Sequence, residues 1–400
     1  VGTDNIAIGD DALLLNTTGI NNVAIGGDAL DANTIGTGNV AIGKNALGAN
    51  TTGVDNVAIG KDAMLVSTIG TDNIAIGTTA LDANTTGIRN VAIGVSALTG
   101  NTVGTRNVAI GTAALGSNTT GVDNVAIGGL DALDANTIGT GNVAIGTNAL
   151  GANTTGVDNV AIGVDTLLLN TVGINNIAIG NTSLNALTTA TRCIAIGQDA
   201  LGGVTTGVDN VAIGDAAGNT ITTGDGNTLI GRNAQTGSAT AIDRIILSAG
   251  AGNGTADAAN TAITIGNDAR AIRCDYGADQ TWDAPSDERM KNVLYSSDLG
   301  LEFIKGLRPV VFKFKPPSEW PQEWGIKADA TIDTEKTILG MVAQDVKAAL
   351  EAVGNPIFGG WTAGNTGQQQ LGESAFVYPL INAVKELAAR CDALETKLAA

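Results

Sequence analysis

Asn56-Val57-Ala58-Ile59-Gly60-Lys61-Asp62-Ala63-Met64-Leu65-Val66-Ser67-Thr68-Ile69-Gly70-Thr71-Asp72 is one turn of a repeat, and its reading decides the fold. The opening Asn-(Val/Ile)-Ala-Ile-Gly recurs every 17 residues from Asn5 to Asn124 and again from Asn142 to Asn176. Cys193 stands in the place of the Asn in the next copy, Asn210 opens another, and a degenerate copy at Asn227–Gly231 ends the series. The single departure is an 18-residue step between Asn124 and Asn142, with the extra residue in Gly128-Gly129-Leu130-Asp131, where a loop can absorb it. A fixed period this short predicts a solenoid, because one coil cannot bury its own apolar face whereas stacked coils can.

Within the unit, strand alternation puts Val57 and Ile59 on one face and Ala58 on the other. Gly60 permits a turn, Ala63-Met64 supplies a second short apolar edge, and Asn50–Gly53 supplies a third turn or strand. Ala58 and its equivalents are read as the small outward residues that let neighbouring chains approach closely. Fourteen coils at the ~4.8 Å strand spacing predict a shaft of about 65 Å. Hydroxyl and hydrocarbon swap places in successive coils (Thr18 with Ile20, then Ile35 with Thr37), which gives a 34-residue super-period as far as Val172 with Ile174. Diagonal stacking of β-branched methyls, or duplication of a two-coil unit, would produce it.

Composition divides the chain in two. All 12 aromatic residues lie at or after Tyr276, all 7 prolines at or after Pro285, and the first glutamate is Glu288. The formal charge is -18 with no basic cluster, so nucleic acid and anionic lipid are not expected partners. The chain has no histidine, which removes His-based triads and the usual zinc and haem ligand sets. Cys193, Cys274 and Cys391 are too scattered for a disulfide framework or zinc spacing. No apolar run approaches the ~20 residues of a membrane span, no signal peptide is read, and the chain opens in mid-repeat without a Met, as a piece of something longer would. No cofactor and no metal site is expected. Asp-rich turns such as Asp10-Asp11 read as solvated carboxylates.

Two resemblances follow from these motifs. The repeats over residues 1–231 look like the head repeats of trimeric autotransporter adhesins, which share the Val-Ala-Ile-Gly core in a parallel β-roll. With their Asn-Thr-Thr-Gly spacer they look even more like repeats of phage tail-fibre proteins. Ser286-Asp287-Glu288-Arg289-Met290-Lys291-Asn292 resembles the motif that opens the intramolecular chaperone of phage endosialidases and tail spikes, the peptidase S74 family. Leu301–Leu307 with Pro309-Val310 and Phe312–Lys315 resembles its first helix and strand, and Leu339–Val346 carries its Gly-x-x-Ala-Gln segment as Gly340, Ala343 and Gln344.

This resemblance implies that residues 286–400 trimerise the client fibre and cut themselves off between Pro285 and Ser286, once per chain. Ser286 would be the nucleophile and Lys291 its general base, held neutral by burial or by neighbouring cations such as Arg289, with Asp287 part of the same motif. Leu380, Val384, Leu387, Cys391, Leu394 and Leu398 step 4-3-4-3-4, a coiled-coil seam in a terminal helix over 378–400. An amphipathic helix packed on its own domain would give the same pattern.

The predicted architecture is therefore mainly β. It is a parallel β-solenoid shaft (1–231) in a homotrimer, a β neck (232–285) with strands at Ile242–Leu247 and Ala262–Ile265, and a small α+β chaperone (286–400). Tyr276 and Trp282 are read as capping the shaft's apolar core. The implied role is a structural tail fibre of a virion, joined upstream to tail or baseplate proteins and attaching to a host glycan or surface protein. A bacterial trimeric adhesin with a non-cleaving trimerisation domain is the alternative. An ice-binding solenoid is a third reading, prompted by the Thr17, Thr34, Thr51 column. No enzymatic action on an external substrate is expected.

Overall fold

A computed structural model describes residues 2–247, the short strands at 252–253, 262–265, 272–275 and 282–283, and residues 297, 299–321, 333–354, 358, 360–363 and 369–399. Two compact units divide at Pro285/Ser286.

In the first unit each Val/Ile-Ala-Ile triplet is a strand, from Ile6–Ile8 to Thr228–Ile230. Each pairs in parallel with the triplet one repeat away, in register: Val40 with Val57, Ala41 with Ala58, Ile42 with Ile59. The other two stretches of the coil are turns rather than strands. The ladder continues beyond the recognisable repeats. Ile245–Leu247 pairs in parallel with Thr228–Ile230, Ala262–Ile265 pairs with Ile245–Leu247, and the last two strands of the sheet, Ile272–Asp275 and Trp282–Asp283, run antiparallel. Tyr276 and the side chain of Trp282 lie outside the described residues.

The coil is narrow, and this sets the sense of the alternation. Ala58 and its equivalents are completely buried, while Val57 and Ile59 reach the surface. The expectation that Ala58 faces outward is therefore reversed. The turn explains why. Met64, and Leu in the other coils from Leu30 to Leu201, is also completely buried and fills the centre of the coil, leaving room only for an alanine methyl beside it. Met64 reaches the centre by adopting a left-handed backbone (φ 52°). That conformation costs roughly 1–2 kcal/mol, against roughly 1.5–3 kcal/mol gained by fully burying such a side chain. Burial wins, so the strain recurs coil after coil.

Two asparagine columns line the inside. The Nδ2 of Asn56 donates to Asn39 Oδ1 at 3.1 Å and to the Gly70 carbonyl at 2.8 Å, and its backbone N–H donates to the same Asn39 Oδ1 at 3.1 Å. Asn50 Nδ2 donates to Asn33 Oδ1 at 2.9 Å in the second column. Beside it, the threonine column is committed within the chain: Thr51 Oγ1 donates to the Thr68 carbonyl at 3.1 Å. That occupies the hydroxyls on which the ice-binding reading relied. Gly60 is required twice over, by φ 139° and because a Cβ there would sit 2.5 Å from the Gly77 carbonyl oxygen. The extra residue of the 18-residue coil is absorbed in the strand itself, not in a loop. Pairing runs from Ile110 with Ile127 to Thr112 with Leu130, a β-bulge.

Among its described residues the second unit carries three α-helices: α1 (Leu301–Gly306), α2 (Ala343–Ala352) and α3 (Val377–Ala399). It also carries two antiparallel hairpins, Val310–Phe312 with Ile338–Gly340 and Trp361–Ala363 with Gln369–Leu371. Its core is Leu299, Phe303, Val346, Ala349 and Leu350, with Phe358 and Phe376 against Phe303.

Candidate functional site

The Gly-x-x-Ala-Gln segment falls at a strand-to-helix junction. Gly340 ends its strand opposite Val310, Val342 is the N-cap of α2, and Ala343 and Gln344 open the helix. Asp345 sits in the first turn, where the helix dipole favours a carboxylate. Arg308, just after α1, grips it with two guanidinium nitrogens, Nε at 3.0 Å. This pair ties the start of α2 to the end of α1, and Val346, Ala349 and Leu350 then pack under Phe303.

α3 has two working faces. Pro379 and Ala383 are buried. Asn382 Nδ2 donates to the carbonyls of Ser297 and Leu299, both at 3.1 Å, and Glu386 Oε2 accepts the Leu301 backbone N–H at 3.3 Å. Glu386 thereby caps α1, whose own N-cap, Gly300, offers no side chain. A Cβ on Gly300 would overlap the Glu386 carboxylate as it stands, so a side chain there would displace this cap.

On the other face Leu380, Val384, Leu387, Cys391, Leu394 and Leu398 are all exposed, Leu398 at 87%. The heptad stripe thus stands open, and the contacts of the helix with its own domain run through Pro379, Asn382, Ala383 and Glu386 instead. Cys391 is exposed in the single chain, not a core residue of it. A second open apolar pair, Val311 and Leu339, sits cross-strand on the first hairpin. The sequence reading passed over it, because a three-residue strand shows too little alternation to assign faces.

Pro285, Ser286, Asp287, Arg289 and Lys291 lie outside the described residues. Among those described, no helix is long and apolar enough to cross a membrane, and no cluster of potential metal ligands occurs.

Residues 286–355 match the family model for the chaperone of endosialidase. No curated protein and no solved structure matches the chain. The endosialidase-chaperone match begins at Ser286, the residue where the contact pattern also divides the chain. It spans α1, the Val310–Phe312/Ile338–Gly340 hairpin and α2, and it stops before α3. The chain thus joins a parallel β-solenoid of about fourteen coils to a segment, residues 286–355, that matches the chaperone of endosialidase.

The solenoid contributes an extended surface of its own. Because alanine points inward, the outward face of the strands is a double row of Val and Ile from Ile6 to Ile213, with Ile74 and Ile76 each 37% exposed. Isolated exposed apolar residues are ordinary, but a contiguous apolar stripe of this extent marks an interaction surface. Alternation in the sequence carried this signal, and the face was misassigned because the narrowness of the coil is not visible in the pattern.

Proposed function

We propose that the chain is the distal part of a homotrimeric viral tail fibre, and that its C-terminal domain assembles the trimer and then releases itself by one cut between Pro285 and Ser286. The observation that carries this reading is the chaperone-of-endosialidase match starting at Ser286. The open seam of α3 and the Val/Ile stripe of the solenoid support it, since both are apolar surfaces that a second and third copy would cover.

In this reading Lys291, neutral at its Nζ, takes the proton from Ser286 Oγ. The oxygen attacks the carbonyl carbon of Pro285, and the C–N bond breaks as the proton passes to the leaving Ser286 nitrogen. The resulting ester is hydrolysed by water to the Pro285 carboxylate and the free Ser286 hydroxyl. Asp287 and Arg289 stand in the same motif, and Arg289 is the cation that would depress the Lys291 pKa. The released shaft would remain on the virion, fixed upstream to tail or baseplate proteins and presented to a host glycan or surface protein.

Intact-mass analysis of freshly expressed chain beside Ser286→Ala tests the proposal. Two fragments meeting at Pro285/Ser286 in the wild type, with an uncut variant, are expected. A single uncut species in both overturns self-release, and the domain would then be a permanent trimerisation tip.

A further inference from the structure

The Val/Ile stripe is the same in every coil, so by itself it cannot fix how three chains align. A slip by one coil would cost only one coil of contact. The residues along its two edges do differ from coil to coil. One edge is the residue before each buried Asn, and the other is the residue after each strand-ending Gly. Cyclic symmetry about an axis along the shaft lays the first edge of one copy against the second edge of the next.

From the trimer reading above, we infer that Lys44 and Lys61 of one protomer pair with Asp55 and Asp72 of its neighbour, and that this cluster sets the register of the shaft. Lys44 and Lys61 stand on the second edge in consecutive coils, and Asp55 and Asp72 stand on the first edge at the same height to within one coil. All four are exposed. Among the described residues neither Lys44 nor Asp55 has an ion-pair partner in its own chain. The nearest carboxylate to Lys61 is the adjoining Asp62 at 3.5 Å, and the nearest cation to Asp72 is Arg89 at 3.8 Å.

Farther along the same edge two Arg–Asp pairs are already committed. Arg106 holds Asp123 with two bonds at 2.6 and 2.8 Å, and Arg192 holds Asp209 likewise. Exposed charges without an ion pair also occur elsewhere on the two edges, Asp10, Asp158 and Asp215 among them, but Lys44 and Asp55 are open charges of opposite sign on facing edges at nearly one height. A slip of two coils in one direction brings Lys61 against Arg89 and Arg106, and in the other direction against Asn21 and Gly38. Exposed pairs add little affinity, but like charges penalise the wrong alignment, which is what selection between registers needs.

Carbodiimide coupling of the full chain, assembled from a mixture of unlabelled and 15N-labelled protein, tests this. Isotopically mixed links from Lys44 or Lys61 to Asp55 or Asp72 are expected. Lys44→Glu with Lys61→Glu should lower the trimer yield about tenfold, and adding Asp55→Lys with Asp72→Lys should restore it. A trimer without those mixed links, or one that the double Glu variant forms equally well, overturns the register assignment and leaves the trimer standing. A chain that is monomeric by light scattering overturns the trimer reading and this one with it.

Discussion

Cys193 shows how far a single residue departs from the pattern around it. It accepts its place in the first asparagine column, with its N–H donating to Asn176 Oδ1 at 3.0 Å and its Sγ reaching the Gly207 carbonyl at 3.3 Å. It offers only a weak sulfur acceptor to the next coil, where every asparagine offers an amide oxygen. Burial pushes its thiol up to about 11, so it stays protonated and unreactive at neutral pH. Cys193→Asn should restore the missing bonds and stabilise the shaft by about 1 kcal/mol, read as a higher thermal midpoint. A lower midpoint would mean that the column tolerates sulfur better than an amide. The sequence displayed the Asn as a motif and the Cys as an exception, but not the reason for either. That reason is a bond to the coil before and after, and it appears only once the coils are stacked.

At the level of the coil, the outward turn carries acids at one recurring position, Asp31, Asp82 and Asp134. Partial burial raises the pKa of all three, with help from Asp28, Asp62 and Asp131 respectively. A carboxyl whose folded pKa lies above its unfolded value destabilises the fold once ionised, and the penalty disappears below the ordinary carboxylate range. Replacing all three with Asn should therefore raise the thermal midpoint at pH 7, and the gain should shrink to nothing as the pH falls through that range. A gain that persists at low pH would point to altered packing instead of charge. Asp123 and Asp209 act in the opposite sense, their Arg partners holding them below the usual carboxylate range, but they are fully exposed and weigh little. The 34-residue alternation also belongs to this scale. Ile20, Ile35 and Ile69 lie on the outer surface, so no packed layer demands constant volume there.

For the whole molecule, the sequence disclosed most of what the structure describes. The period predicted the solenoid, the change of composition predicted a second unit, and the ordered motifs of residues 286–346 pointed to the family that matches. Orientation was not legible. Whether Ala58 or Val57 faces inward depends on how wide a coil closes, and which side of α3 stays open depends on Asn382 and Glu386 meeting α1. That division of α3 leads to a test. Leu387→Asp with Leu394→Asp should raise the concentration needed for assembly by more than about tenfold, because a coiled-coil seam would bury both charges unpaired. The helix itself should persist, since Pro379, Asn382, Ala383 and Glu386 hold it to the domain. Unchanged assembly by analytical ultracentrifugation would remove the seam from the interface.

The bonds joining one coil to the next lie along the stack, as in Val57 N–H to the Asn73 carbonyl at 2.8 Å and Met64 N–H to the Ala80 carbonyl at 3.0 Å. A pull on the two ends of a single solenoid would therefore open coils in series instead of loading all of them together. Each coil that yields would lengthen the chain by roughly 50 Å, its residues passing from one ~4.8 Å layer to an extended thread. One shaft alone would thus be a soft, stepwise shock absorber, and in the proposed trimer its stiffness under load would have to come from the neighbouring copies.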